Sequence, residues 1–438
     1  MKKIIISFFA LISFSAIAQQ TFAGFRNGYY SGTHSILSNP ANIAGSPRKW
    51  DVNLVSLDAN IVTDRILIDF NLEESIHKFS DLANFRDLDF SGNLHLDVLG
   101  PSAMVRINEK HSVGLTTRAR LFANIDNFNA KLIEAIFFDT NNIKSLPYTL
   151  KVENQGIMIN AFSEIGATWA GTVFQSDKHT IKVGATAKFL QGIANTHFYI
   201  NDLQATIDAD VNKKEVYLDN ASGSLSFVNS GVDIIESFQA DDITKSHATG
   251  LGLDLGVVYE YRLDPSDEKY TLKAALAVTD IGTLKYTPLQ NRAYHYSIVN
   301  ASRIIISDDI QKNLNNTANV TSTDVTGKYN SSLPTALQSS IDYHIWNNFY
   351  AEISGIVGLS KNKNKPENSY YINEFVVTPR FENKYFGGYL PVSYNQLSQF
   401  NAGVAVRLGP LVVGSSSLLS HLGNSKQMDF FFGIRFGN

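Results

Sequence analysis

Residues 371–438 leave few folds open to this chain. They read as EFVVTPRFE, YFGGYLPVS, FNAGVAVRLG, LVVGSSSLL and MDFFFGIRF, separated by short polar or Gly- and Pro-containing breaks. Strand-length segments with hairpin-length breaks spell consecutive antiparallel strands. In the last segment Phe430, Phe432, Ile434 and Phe436 fall on one face, and Asp429, Phe431, Gly433 and Arg435 on the other. An amphipathic closing strand with an aromatic residue near its end is how membrane barrels usually finish.

Residues 251–262 are the clearest single strand. Leu251, Leu253, Leu255, Val257, Tyr259 and Tyr261 make an apolar face, while Gly252, Asp254, Gly256, Glu260 and Arg262 lie mostly on the other. After a turn at residues 264–268, Tyr270, Leu272, Ala274, Leu276 and Val278 are expected to return along the apolar face. Tyr259, Tyr261 and Tyr270 would then sit together in an interfacial aromatic belt. Residues 113–121, 163–173, 181–189, 335–345 and 349–357 alternate in the same way.

A soluble β-sandwich also alternates. Against it, strand 251–262 exceeds the ~5–6 residues usual in soluble sheets and matches the ~9–11 that cross a bilayer at a tilt. Its non-apolar face also carries charges in mid-strand, which can pair in a wet lumen while lipid covers the other face. A mean hydropathy of −0.08 is the average of two such faces. The expected fold is all-β: an antiparallel transmembrane outer-membrane β-barrel of roughly 14 strands, within about 12–16. Residues 285–330, rich in Asn, Thr and Ser, are expected to surround a long external loop. Short helices are expected at KLIEAIFF (residues 131–138) and over residues 71–90.

The amino end has a different character. Met1-Lys2-Lys3, an apolar run over residues 4–17 and Ala16-Ile17-Ala18 have the layout of a secretory signal over residues 1–18. Residues 19–48 show no period but include Phe22, Phe25, Tyr29, Tyr30, Ile36 and Leu37, too many apolar groups to leave in water. They are expected to plug the barrel or line its periplasmic mouth, with residues 49–438 forming the wall. Without Lys2 and Lys3, 37 − 2 = 35 basic side chains face 41 acidic ones. A net charge of about −6, dispersed along the chain, argues against nucleic acid as a partner. No stretch approaches the ~18 apolar residues of a membrane helix.

Catalytic chemistry is poorly represented. There is no cysteine for a disulfide, a zinc site or a thiol nucleophile. The ten His have no ligand spacing, so neither a metal nor a cofactor is expected, and the chain does not read as an enzyme. Gly250-Leu251-Gly252 lies within a strand rather than before a helix, and Ser415-Ser416-Ser417 reads as polar strand. Counting by twos places Arg118, Arg120, Asp254, Glu260, Arg380, Glu382, Arg407 and Arg435 on the lumen side. Such charges form either a selectivity lining or a salt-bridge ladder that holds a narrow barrel and its plug.

Ser38-Asn39-Pro40-Ala41-Asn42 resembles the N-P-A element of the hatch in FadL/TodX-type channels for hydrophobic compounds, which PorV-like barrels also carry. Thr279-Asp280-Ile281-Gly282 resembles the D-[IL]-G turn of such barrels, making Asp280 and Gly282 the candidate turn residues. The carboxyl-terminal run is similar to an uncharacterised Bacteroidota family of outer-membrane barrels. The resemblance implies the outer membrane of a Gram-negative bacterium, with its lipid as surroundings. The family itself implies no established activity. The likeness of Asn39-Pro40-Ala41 to the hatch and the size of the barrel point to a plugged channel for small hydrophobic solutes. The long polar segment 287–332 points to the alternative, a non-transport barrel that serves a surface or secretion-apparatus partner as PorV-like barrels suggest.

Overall fold

The computed structural model describes residues 22–68, 88–137, 146–232, 245–267, 269–307, 310–362 and 364–438. The expected signal at residues 1–18 and most of the expected helix over residues 71–90 lie outside the described residues.

Trp50–Thr63 (β1) pairs with Asp89–Leu99 (β2) and Ser102–Arg106 (β3), which form one stave interrupted at Gly100-Pro101. His111–Asn129 (β4), Tyr148–Gln175 (β5) and His179–Asp210 (β6) follow in order. The distal half of β6 pairs with Glu215–Gly231 (β7), and its proximal half with Ala248–Tyr261 (β8). Leu272–Tyr286 (β9) continues the wall. Pro288–Ala301 (β10), Ile304–Ile306 (β11) and Val320–Asp324 (β12) leave it to extend the sheet beyond β7. Tyr329–Ser332 (β13) and Ala336–Trp346 (β14) return to pair with β9, followed by Phe349–Gly358 (β15) and Glu374–Glu382 (β16).

Next come Phe386–Tyr389 (β17) with Val392–Asn395 (β18), then Gln399–Ala402 (β19) with Val404–Leu408 (β20). Leu411–Ser415 (β21) and Gln427–Gly437 (β22) complete the circuit. β22 lies along β1 from Asp51↔Gly437 to Val62↔Gln427, so the sheet closes as a 14-strand antiparallel barrel. Closure removes the free edges of an open sheet. No helix among the described residues is long and apolar enough to cross a membrane.

Alternation sorts the side chains. Leu251, Leu253, Leu255 and Val257 are exposed on the outer surface, while Asp254, Val258 and Glu260 are buried inside. Short turns such as residues 176–178 and 347–348 gather at the end where β1 begins and β22 ends. The helix Ala130–Phe137, which follows β4, and residues 364–373, which precede β16, lie at the other end. By the usual rule for these barrels, short turns face the periplasm and long ones the exterior.

Three expectations need correction. Residues 285–330 are not a long loop: β10, β11 and β12 lie there, together with a short helix over Ile310–Asn316. β5 and β6, at 28 and 32 residues, run well past the ~9–11 that span a bilayer. With β7 and β10 they build a sheet above the rim. Its core of Phe128, Leu150, Ile200, Leu218, Tyr296 and Leu314 explains why this stretch folds despite its polar composition.

Tyr270 does not join an outer belt. It is 2% exposed and its hydroxyl donates to Asp342 at 2.5 Å, a partner that only an inward orientation reaches.

Asp280 and Gly282 are not a turn. They lie within β9, where Leu253↔Ile281 and Leu255↔Val278 leave Asp254 opposite both Thr279 and Asp280, a β-bulge. Asp280 adopts φ 60° and, unlike in a regular strand, Thr279 and Asp280 are both buried. At Gly282 a Cβ would lie 2.3 Å from the Leu251 carbonyl oxygen, so only glycine fits beside the bulge.

Candidate functional site: the occupied lumen

The lumen is filled from the periplasmic end by residues 22–48. Two 3₁₀ turns, Gly32–Leu37 and Pro40–Ile43, shape this segment, the second with Pro at its start and Asn39 as its cap. The Asn39 side-chain oxygen accepts from Ala41 N at 2.9 Å. Its amide nitrogen donates to the backbone carbonyls of Val257 at 3.0 Å and Leu276 at 3.1 Å, across the β8–β9 seam. The wall makes room with glycines. A Cβ at Gly184 would lie 2.5 Å from Ala41 N, and one at Gly256 would lie 2.0 Å from the Asn39 oxygen. Asn39, Pro40 and Ala41 therefore sit directly against β6 and β8.

Wall carboxylates hold the rest of the plug. Asp51 accepts from Thr33 N at 2.9 Å and Thr33 Oγ1 at 2.8 Å. Asp58 accepts from Phe22 N at 2.5 Å, Glu352 from Asn27 Nδ2 at 2.6 Å and Glu382 from Tyr29 N at 2.9 Å. Arg435 donates to the carbonyls of Tyr30 and Ser31 and pairs with Asp51 at 3.2 Å. Phe22 and Phe25 pack with Tyr389, Val412 and Phe431. His34 lies edge-on to both phenylalanines, its Nε2 2.9 Å from Ser56 Oγ. Burial, and then the neighbouring Arg435, push its pKa well below the ordinary histidine value.

The charges named from sequence fall into separate groups. Arg118 pairs with Asp97, its Nε 2.7 Å from Oδ1, and reaches Glu164 at 3.4 Å. Arg120 holds Asp280 in bidentate fashion at 2.9 and 3.0 Å and lies 3.5 Å from Glu164. Lys188 joins Asp280 at 2.7 Å and Asp254 at 2.8 Å. Glu260 is paired with Lys182 at 2.5 Å and lies 3.7 Å from Arg262. Nearer the periplasm, Arg380 binds Asp342 with both terminal nitrogens, at 2.9 and 2.5 Å, and Glu382 at 2.9 Å. Among the described residues Arg407 forms no carboxylate pair; it donates to the carbonyls of Asn383, Lys384 and Phe386. Each named charge is engaged, as buried charges must be to avoid a cost of several kcal/mol.

Above the Arg118–Arg120 tier the lumen turns apolar. Phe122, Phe162, Leu190, Leu284, Tyr286 and Ile356 form a layer with Tyr371, which descends from the external connection at residues 359–373. The Arg120 guanidinium lies over Phe122 at 5.0 Å and Phe162 at 5.2 Å, and Tyr371 OH accepts from Arg120 at 2.5 Å. Asn124 brackets Tyr370 from both sides, donating to its carbonyl at 3.2 Å and accepting from its amide at 3.5 Å. The lumen is thus occupied from both ends.

Sequence reasoning missed Asp51, Asp58, Asp97, Asp342 and Glu352, although the same count by twos along β1, β2, β14 and β15 finds them. It also missed the role of Ser415, Ser416 and Ser417. They converge on Asp429, which accepts from Ser415 Oγ at 3.0 Å, from Ser417 Oγ at 2.5 Å and from Ser416 N. No periodicity signals that contact. Among the described residues no cluster of His, Asp and Glu side chains is placed to hold a metal ion.

Comparison with solved structures finds other outer-membrane barrels. The toluene transporter TbuX of Ralstonia pickettii aligns over 93% of this chain and 94% of its own, at 11% identity and a TM-score of 0.44. The toluene transporter TodX of Pseudomonas putida aligns over 96% of each chain, at 12% identity and a TM-score of 0.44. A FadL homologue of Pseudomonas aeruginosa aligns over 96% and 98%, at 10% identity and a TM-score of 0.32. A comparison with curated protein sequences finds no match. Residues 40–416 match the family described as a family of unknown function, DUF5723, and this chain belongs to that family.

Proposed function

We propose that this outer-membrane barrel is a plugged channel that passes a small hydrophobic solute. The observation that carries the reading is the apolar layer of Phe122, Phe162, Leu190, Leu284, Tyr286 and Ile356 inside the lumen. A water-filled pore needs a polar interior, whereas a hydrophobic solute is favoured by buried aromatic and aliphatic walls. The layer lies beneath Tyr371, on a connection whose displacement opens it to the exterior, while the plug blocks free passage of water-soluble molecules.

The test is uptake of the fluorescent hydrophobic probe N-phenylnaphthylamine into proteoliposomes carrying the intact chain. Phe162→Asp is expected to abolish uptake while the barrel remains folded on a heat-modifiability gel. Uptake unchanged by Phe162→Asp rejects the reading.

A second reading rests on the folded sheet beyond β7, whose core stands apart from the lumen. In it the barrel serves as an interaction subunit for a surface or secretion partner. Replacing residues 302–327 with a short turn should then remove a co-purifying partner and leave probe uptake intact; a partner retained by the trimmed chain rules this reading out.

A further inference from the structure

At the outer mouth, Lys361, Asn362, Lys365, Pro366, Asn368 and Tyr370 and the rims of β4, β5 and β6 enclose a recess of about 150 Å³. It takes no part in the plug or the charged tier, and it is smaller than the ~300–1,000 Å³ of a drug-sized site. Its lining is distinctive. Five asparagines contribute, at positions 124, 127, 154, 362 and 368, together with the tyrosines at 199 and 370. Ile157, Met158 and Pro366 supply its apolar part.

Carboxamides present donors and an acceptor side by side. In the recess the five amide oxygens already accept, from Tyr370 N, Ser91 Oγ, Tyr199 OH, Asn364 N and Ser332 N, so it is the amide nitrogens of Asn127, Asn154, Asn362 and Asn368 that can donate to the hydroxyl oxygens of a sugar. A tyrosine ring offers a flat apolar face to the C–H side of a pyranose while its hydroxyl stays polar. Here Tyr199 OH already donates to Asn154 Oδ1 at 3.1 Å, which fixes ring and amide together.

Charge narrows the ligand further. Lys361 is ion-paired with Asp126 and lies 4.6 Å from the centre of the Tyr370 ring. Lys365 lies 3.5 Å from Glu367. Both cations of the recess are matched by carboxylates, so the site carries little net field toward a phosphate or carboxylate. Its lip, at Asn127, Asn154, Lys361 and Asn362, is exposed to solvent. We propose that this recess binds a single neutral sugar ring, either free or as the terminal unit of a lipid-linked glycan. The site stands independently of the channel reading. Because Asn124 holds Tyr370 on the same connection that lowers Tyr371 onto Arg120, an occupied recess also holds that connection in place.

The experiment is saturation-transfer NMR on the full chain in lauryldimethylamine oxide, a detergent without sugar. The probes are the methyl glycosides of glucose, galactose, mannose and N-acetylglucosamine. A second arm presents the same sugars on glycolipids in vesicles. Transfer to the ring protons of at least one probe is expected. It should fall about tenfold or more in Asn154→Ala and in Asn362→Ala. Asn362 is exposed, so its variant keeps the fold, which heat-modifiable migration verifies. Binding in the glycolipid arm alone supports the site and identifies the lipid-linked source. Absence of transfer in both arms at millimolar sugar, or transfer that both variants leave unchanged, overturns the proposal.

Discussion

A Cβ on Gly256 would lie 2.0 Å from the side-chain oxygen of Asn39, so the plug and the β8 wall meet at a contact that only glycine allows. The Asn39 amide nitrogen meanwhile spans the β8–β9 seam to the carbonyls of Val257 and Leu276. Gly256→Val should lift the Asn39–Ala41 turn away from the wall at a cost of roughly 1–3 kcal/mol. Limited proteolysis should cut residues 22–48 faster in this variant, with the barrel's resistance unchanged. Equal cutting rates would mean that the contact does not hold the plug.

The bulge at Asp280 makes a second prediction. Asp280→Ala leaves Arg120 and Lys188 short of a shared carboxylate inside the wall. Breaking a buried pair by removing one partner costs about 3–5 kcal/mol. Some of that is offset, because Lys188 keeps Asp254 and Arg120 keeps Glu164. Urea unfolding in lipid vesicles should show a loss toward the low end of the range. A midpoint shift smaller than that of a surface alanine change would contradict it.

These sites show what the sequence could and could not reveal. The closed barrel was legible because its inside–outside alternation is a two-residue period that recurs in β4, β5, β8, β14 and β22. Arg118, Arg380 and Arg435 were legible for the same reason. Asp280 was not, because a bulge breaks the count and turns two successive side chains inward. Tyr270 was misplaced because the count was extended two residues before β9, which begins only at Leu272, so the strand period does not reach it. The sheet of β10–β12 escaped notice because its strands are polar on the exposed side and find their core in β5, β6 and β7, far away in sequence.

His34 predicts a pH dependence of plug docking. A released imidazole titrates near 6.5, whereas the docked one, buried between Phe22 and Phe25, titrates well below that. The docked state therefore binds fewer protons, so docking is unaffected above about pH 6.5 and weakens below it, by at most ~1.4 kcal/mol per pH unit. Proteolysis of the plug should accelerate on moving from about pH 7.5 to about pH 5, less steeply in His34→Gln. A wild-type rate that is flat over this interval would exclude histidine control.

The outer face of β8 predicts a penalty that depends on lipid. Leu255 is 46% exposed there, between Asp254 and Gly256 on the strand. Leu255→Arg should cost about 2–4 kcal/mol if it lies near the bilayer midplane. Measured in lipid vesicles, the loss should exceed that of Leu263→Arg, in the exposed turn beyond the wall. Equal losses would contradict the assigned membrane face.

As a plugged channel of the kind proposed, the intact barrel is closed to water-soluble molecules yet open to hydrophobic ones. The most direct test compares N-phenylnaphthylamine with glucose in the same proteoliposomes, alongside single-channel current across a planar bilayer. A plugged hydrophobic channel should show accelerated uptake of the hydrophobic probe, no glucose entry above empty vesicles and no sustained ionic current. Steady conductance with glucose entry, or failure to carry the hydrophobic probe at all, would contradict it.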